Sequence, residues 1–462
     1  MDALPLLTHE SAGAPVAYRP GRAVAAAEFV RDAAELAARL PPGKHVLNAC
    51  ADRYRFAVGF AACLMSERVS LLPSTHTPEV IQQLRHFAPD AVCLTDETDC
   101  SIDLPRYFYR PGASEPACSS DQPHRVPQIP ADRLAAIVFT SGSTGTPLPY
   151  VKTWGRLVGC VRDGATELGL RDGRAHTIVG TVPAQHMYGF ESTVLVALQS
   201  GNAFSAEHPF YPADVCAALS SVPRPRVLVT TPVHLRAVLG ANLDPPPVDL
   251  IVSATAPLAR ELAREAERAF GAPLLEIYGS TETGQIAMRR TSETTAFRLW
   301  RGVRLRADNG QVYAHGGHIE QMTPLCDVLE IMDDERFLLH GRSADLVNVA
   351  GKRSSFGYLN AQLHAVPGVV DGAFFLRDND GEGLTGIARL AAVVVAPGLT
   401  AGALLKSLRR RIDPVFLPRP LVLVDRLPRN ATGKLPLHAL QSLADQHARG
   451  ARAPRSAVKR KL

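Results

Sequence analysis

No apolar run in this sequence approaches the ~18–20 residues that a helix needs to cross a membrane, so no membrane span is expected. The opening residues, MDALPLLTHESAGAP, lack a basic patch leading into an apolar stretch. No secretory signal is therefore expected, and a cytoplasmic location is. None of the eight cysteines (Cys50, Cys63, Cys93, Cys100, Cys118, Cys160, Cys216 and Cys326) forms a C-x-x-C pair, which argues against a zinc site. Several sit in apolar runs such as AACLM and DAVCLT and read as small buried hydrophobes. Free thiols fit a reducing compartment. No internal repeat is found.

The net charge of +5 is concentrated at one end. Residues 448–462 hold Arg449, Arg452, Arg455, Lys459, Arg460 and Lys461 and no acid, and the rest of the chain is left at about −1. A nucleic-acid surface needs its basic groups spread over a folded face. A solvated, disordered tail over 448–462 is expected instead, or a tether for an acidic partner.

The balance of 46% apolar and 21% charged residues is that of a globular protein. A length of 462 residues implies two or three domains, since single cores stop growing near ~250–300 residues. Phe29, Ala33, Leu36 and Leu40 fall at helical spacing. Buried-strand runs occur at 45–50, 69–73, 90–95, 134–140, 176–182, 226–231, 249–254 and 273–278. Helical stretches such as 53–65 and 77–87 lie between them. That alternation predicts an α/β fold of mainly parallel sheets covered by helices. QVYAHGG, HIEQM, DVLEIMD and RFLLH are short and turn-separated and predict an antiparallel patch after residue 300. A smaller α+β unit follows, with helices at 356–366 and 400–411 and strands at 371–376, 389–395 and 420–424. The expected division is 1–340, 341–447 and the tail 448–462. Segment 109–130 is rich in Pro and Ser and reads as a surface loop.

Phe139-Thr140-Ser141-Gly142-Ser143-Thr144-Gly145-Thr146-Pro147 follows a buried-looking strand. Its glycines let backbone N–H groups approach phosphate oxygens, and its hydroxyls donate further bonds. No Gly-Lys-Ser/Thr follows, so it is not a Walker A loop, and a polar surface turn is the plain alternative. Tyr278-Gly279-Ser280-Thr281-Glu282-Thr283-Gly284 also ends a strand. It reads either as a capped helix start or as a site in which Tyr278 stacks on a base, Thr281 binds phosphate and Glu282 holds Mg²⁺.

Together the two stretches resemble the phosphate loop and the Y-G-x-T-E element of the adenylate-forming superfamily of acyl-CoA synthetases, peptide-synthetase adenylation domains and luciferases. Four further elements occur in the same order. Ser253-Ala254-Thr255-Ala256-Pro257-Leu258 is similar to the S-G-G-A-P-L segment lining the adenine. Cys326-Asp327 is similar to the T-G-D whose Asp binds ribose. Gly341-Arg342-Ser343-Ala344-Asp345, with Gly351 just beyond, resembles the hinge and G-x-R element. Pro428-Arg429-Asn430-Ala431-Thr432-Gly433-Lys434 resembles the element whose Lys is catalytic. Val182-Pro183-Ala184-Gln185-His186-Met187-Tyr188-Gly189 is similar to the family's P-x-x-H-x-x-G, whose His lies by the reacting carboxylate; a half-buried core histidine is the alternative.

The resemblance implies a large N-terminal domain and a small mobile C-terminal domain. It implies ATP and Mg²⁺ as cofactors, a small carboxylic acid as substrate, and the pantetheine thiol of an acyl carrier protein or CoA as acceptor. Pocket residues would include His186, Tyr188, Ser253, Tyr278, Gln285 and Ile286, which suits a small hydroxylated aromatic acid. A fatty or other acyl-CoA synthetase, a luciferase-like or amide-forming enzyme, and a non-catalytic nucleotide-binding paralogue are the alternatives.

Two positions depart from the family pattern. Leu148 stands where a Lys usually follows the phosphate-loop Pro, and Lys152 is expected to take over that role toward pyrophosphate. Ala344 stands at the hinge. The T-P-x-P-x-x-K-x-W loop and compact front end resemble the stand-alone ligases of aryl-polyene and xanthomonadin-type pigment pathways.

Overall fold

The computed structural model describes residues 2–73, 75–109, 125–140, 148–342, 346–349, 352–377, 389–429 and 435–452. The chain forms two compact units, Met1–Leu325 with Ile331–Phe337, and Cys326–Glu330 with Leu338–Leu462. The crossover thus occurs within two neighbouring strands, Asp327–Ile331 and Arg336–Arg342. The expected boundary at 340/341 falls inside the second of these strands.

The first unit has the α/β architecture that the alternation predicts. One sheet of six strands runs in the order Leu148–Thr153, Leu134–Thr140, Val69–Leu72, His45–Asn48, Val92–Thr95, Arg106–Phe108. All its pairings are parallel except the first, where Leu148 lies opposite Thr140. Val69–Leu72 and Val92–Thr95 are buried throughout, which is why they read as mainly apolar runs. The helix Arg53–Met65 spans the expected residues, and Asp52 caps it by accepting from the Arg55 N–H at 2.9 Å.

The larger sheet has a parallel centre of Thr177–Gly180, Arg226–Thr230, Leu250–Ser253 and Leu274–Ser280. Gly284–Arg289 and Ala296–Leu299 extend it antiparallel on one side. On the other side Ala203–Ser205 pairs parallel with Pro15–Arg19, which turns back into Arg22–Ala25. Helices Pro212–Ser220, Pro232–Gly240 and Arg260–Phe270 cover one face, where Val179, Leu228, Ile251 and Leu274 meet Leu219, Leu235, Leu262 and Phe270. Of the expected antiparallel patch, QVYAHGG and HIEQM join Val303–Asp308 in a three-stranded sheet with Gln311–Gly316 and Ile319–Pro324, whereas DVLEIMD and RFLLH form Asp327–Ile331 and Arg336–Arg342 at the edge of the larger sheet beside Ala296–Leu299.

The second unit has a mixed sheet of Asp371–Arg377, Arg389–Val395 and Leu421–Leu423. One face packs on the helices Phe356–His364 and Ala401–Leu408 through Leu359, Leu363, Phe374, Val394, Leu404 and Leu408. The other packs on Leu437–Arg452 through Phe375, Val393, Leu440 and Ala444. That last helix runs five residues into the stretch whose composition predicts a tail, because its apolar positions Leu440 and Ala444 carry it. Residues 453–462 lie outside the described residues.

Candidate active site

The strands Leu134–Thr140 and Leu148–Thr153 form an antiparallel ladder, so 141–147 is the hairpin connection between them. Ser141, Gly142, Ser143, Thr144 and Gly145 lie outside the described residues. Pro149 is tolerated because Leu148–Thr153 is an edge strand.

Lys152 lies opposite Ala136, about 13 Å along the strand from the loop root at the usual rise per residue. Its side chain is only 2% exposed. Its ammonium donates to the Thr281 carbonyl and, at 3.3 Å, to the Glu282 carbonyl. This departs from the expectation that Lys152 fills the place Leu148 vacates: a buried ammonium needs acceptors, and it finds them in the second sheet.

Tyr278-Gly279-Ser280-Thr281-Glu282-Thr283-Gly284 is a tight connection between antiparallel strands, not a helix start. Ser280 and Thr283 tie it: the hydroxyls lie 3.1 Å apart, and the Thr283 N–H donates to Ser280 Oγ at 3.2 Å. Gly284 has φ +74, and a Cβ there would meet Cys160 Sγ at 2.8 Å. Three basic side chains hold the turn from one side. Lys152 and Arg156 donate to the Glu282 carbonyl, Lys152 to that of Thr281, and His318 Nε2 to that of Thr283 at 3.1 Å. Glu282 itself is half-buried, and its carboxylate has no ion-pair partner among the described residues. No group of three or more His, Cys, Asp or Glu is arranged to hold a metal among the described residues. A single carboxylate at this turn fits Mg²⁺, which is usually bound through one or two carboxylates plus substrate phosphates.

Tyr278 is buried against Phe297 and Phe337, with ring centroids 5.7 and 5.2 Å away. Ala254, Thr255 and Ala256 follow the strand Leu250–Ser253. Thr255 has φ +78, a conformation costing a β-branched residue about 1–3 kcal/mol, where the resemblance has Gly. Ser253 shares its sheet face with Ile251 and therefore faces the helices of the outer layer. Its buried hydroxyl has no hydrogen-bond partner among the described residues.

His186 caps the short helix Met187–Gly189, its Nδ1 accepting from the Tyr188 N–H at 3.3 Å. The neutral ring then carries its proton on Nε2. Gly189 is required by packing: a Cβ would lie 2.1 Å from the Pro183 carbonyl oxygen. The buried Tyr188 hydroxyl lies within 3.1 Å of the Thr230 and 3.0 Å of the Val252 carbonyl oxygens, tying the helix to the ends of two strands. Burial pushes this phenol far up. Gln285 donates to Ser192 Oγ at 2.8 Å and to Glu191 Oε2 at 3.4 Å, and Ile286 is fully buried beside it.

Glu191, Arg156 and His318 were not foreseen. Glu191 stands on the π-helix Phe190–Leu195, and burial raises its carboxyl against the pull of Lys152 and His318. A lone Glu in the run GFESTVLVAL was the one local signal for it. Arg156 and His318 are brought in by tertiary packing and carry no such signal.

In the second unit, Asp327 begins the strand Asp327–Ile331 and is half-buried, and Arg342 ends the strand Arg336–Arg342. Ala344, Asp345, Gly351 and Lys434 lie outside the described residues.

The sequence pattern of the family described as AMP-binding enzyme matches residues 9–337. The chain belongs to that family. Among its AMP-binding relatives, it is 32% identical to a 4-coumarate–CoA ligase of Rhodobacter capsulatus, over 61% of this chain and 69% of the other. It is 25% identical to a 4-chlorobenzoate–CoA ligase of Arthrobacter sp, over 68% of this chain and 67% of that one. The fold matches ATP-bound MatB from Rhodopseudomonas palustris at a TM-score of 0.77 and 19% identity, over 94% of this chain and 96% of that one. It matches the anthranilate CoA ligase AuaEII, in complex with anthranoyl-AMP, at 0.75 and 15%, over 97% and 99%.

Proposed function

We propose that this AMP-binding enzyme is an acid–thiol ligase that activates a small aromatic, hydroxylated carboxylic acid with ATP. The acyl-adenylate is then passed to a pantetheine thiol, of CoA or of an acyl carrier protein. The observation that carries the reading is the held turn at Thr281 and Glu282, whose carboxylate has no ion-pair partner among the described residues. The curated relatives act on coumarate and chlorobenzoate, which supports an aryl acid.

In the first half-reaction a carboxylate oxygen attacks the α-phosphorus of ATP, and pyrophosphate leaves. Both reactants are anionic, so donors and cations must stand where negative charge gathers. The 140–145 segment would grip the β- and γ-phosphates through backbone N–H groups and hydroxyls. Lys434 would lie between the carboxylate and the α-phosphate. Mg²⁺, held by Glu282, would screen the phosphate oxygens. His186, with its proton on Nε2, is suited to donate to the substrate carboxylate. In the second half-reaction the thiol sulfur bonds to the acyl carbon and AMP departs.

Acid-dependent ATP–pyrophosphate exchange across a panel of aryl and alkyl acids tests the reading. Exchange with a hydroxylated benzoate or cinnamate is expected. Exchange with alkyl acids only would reject the aryl assignment. The second reading, a nucleotide-binding paralogue without catalysis, is favoured by Leu148. Binding of ATP without exchange for any acid would select it.

A further inference from the structure

The turn that bears Thr281 and Glu282 is held through its backbone, and the holding groups come from three separate elements. Lys152 lies on the edge strand Leu148–Thr153, Arg156 on the helix Trp154–Glu167, and His318 between the strands Gln311–Gly316 and Ile319–Pro324. Their acceptors are the successive carbonyls of residues 281, 282 and 283. Within a planar trans peptide the N–H points opposite to its C=O. Drawing three carbonyls toward the basic groups therefore aims the N–H groups of residues 282–284 the other way. The Thr283 N–H meets Ser280 Oγ on that side.

Burying an ammonium costs several kcal/mol unless acceptors and counter-charge surround it. Lys152 has both, because the buried Glu191 stands nearby on the π-helix and the two carbonyls lie against its Nζ. An apolar side chain would fill the same volume without that cost, so packing alone does not account for a lysine here. The other end of its strand roots the 141–147 connection. One strand thus joins the loop of the phosphate grip to the turn that carries Glu282.

We propose that Lys152, assisted by Arg156 and His318, is a positioning residue that fixes the backbone of the 281–283 turn so that Glu282 meets the Mg²⁺ of bound MgATP. The proposal rests on the adenylate-forming reading. Lys152 acts through the turn and does not itself touch the nucleotide, so its loss raises the metal requirement without changing recognition of the acid.

The experiment compares wild type with Lys152→Met, Lys152→Arg and His318→Leu. Two readouts are taken: the Mg²⁺ dependence of ATP–pyrophosphate exchange, and calorimetric ATP binding with and without Mg²⁺. In Lys152→Met the half-activating Mg²⁺ concentration should rise about tenfold, while the KM for the acid stays within about twofold. The Mg²⁺-dependent tightening of ATP binding should vanish, with metal-free ATP binding retained. Lys152→Arg should restore most of both, and His318→Leu should shift them the same way by less. If Lys152→Met does not fold, the other two variants decide on the same readouts. An unchanged Mg²⁺ requirement and unchanged tightening would overturn the proposal, as would an equal loss of affinity for ATP, metal and acid. Wild type lacking exchange with every acid, yet showing tightening that Lys152→Met abolishes, would reject the adenylation reading and leave the positioning role standing.

Discussion

Arg429 grips Asp371 at two points, with Nε 2.7 Å from Oδ2 and Nη2 2.6 Å from Oδ1. Arg429 belongs to the segment that leads to Lys434, and Asp371 begins a strand of the second unit's sheet. The pair ties Arg429 to the first strand of its own unit's sheet. Burial alone would raise the Asp371 carboxyl; the His364 ring 3.6 Å away and the two hydrogen bonds from Arg429 outweigh it and hold the group well below the usual carboxylate range. Asp371→Asn should destabilise this unit by about 1–3 kcal/mol near neutral pH. A depressed carboxyl stabilises the fold above its unfolded value, near ~4, and that contribution fades as pH falls toward the folded value. Denaturant unfolding of the two proteins should therefore differ by a constant amount from about pH 7 to about pH 5 and converge as the pH falls below about 4. A gap independent of pH would show that the pair adds nothing by charge.

Lys434→Ala should abolish pyrophosphate exchange while thiolation of preformed acyl-AMP continues. The motive is the charge problem of the first half-reaction, which the second does not share. Single-turnover thioester formation from synthetic acyl-AMP checks it. Wild-type exchange in the variant would remove Lys434 from the reaction.

Lys152 should make the metal requirement sensitive to alkali. Burial first, then the neighbouring Arg156, lower its pKa from 10.5 to about 8, against the pull of Glu191, Cys160 and Glu282. The turn is held by an ammonium below about pH 8 and by a weaker neutral donor above it. The half-activating Mg²⁺ concentration should climb above that pH in wild type and stay flat in Lys152→Arg, whose guanidinium keeps its charge. Parallel profiles for the two would refute the link.

Two glycine substitutions should act in opposite directions. Gly189→Ala forces a Cβ to 2.1 Å from the Pro183 carbonyl oxygen, and backbone must move at the His186 cap. Loss of more than about 2 kcal/mol, together with lost exchange, is expected. Gly240→Ala, at the end of the helix Pro232–Gly240, meets nothing within 4 Å and should stabilise by up to about 1 kcal/mol. Thermal unfolding of both variants is the check.

The acceptor question is open to one comparison. A carrier protein should receive the acyl group faster than CoA if the basic tail steers an acidic partner. The helix Leu437–Arg452 is part of the second unit's core, so the truncation should fall after 452 and remove Arg455, Lys459, Arg460 and Lys461. A drop in carrier transfer that disappears at about 1 M salt, where the Debye length is ~3 Å, would mark steering. Faster transfer to CoA in both forms would assign CoA as the acceptor.

Much of this architecture can be read in one dimension. The central strands are legible because both their faces are buried and the runs are mostly apolar, as in Val69–Leu72 with its single Ser70. The strand Leu148–Thr153 is not, because Pro149 and Lys152 interrupt it; only the edge position and the distant carbonyls make those two residues tolerable. The motif residues 278–284 were found by their order along the chain, but their shape as a strand-to-strand turn was not, since Ser, Thr and Glu serve equally at a helix start. Ser253 shows the limit of motif reading: the strand's alternation turns it toward the outer helices with Ile251, away from the face of its neighbour Val252.

The pairing of Pro15–Arg19 with Ala203–Ser205 has a consequence for how the protein is made. A ribosome delivers the first strand early, and its partner only after some 190 further residues have been synthesised. Until then the strand can pair only with Arg22–Ala25, and its other edge waits for a partner through much of the first unit's synthesis. In the finished protein this hairpin closes one border of the largest sheet, with Arg22–Ala25 outermost. Deleting the first 25 residues would bare the Ala203–Ser205 edge, inviting a second molecule to dock there and aggregate.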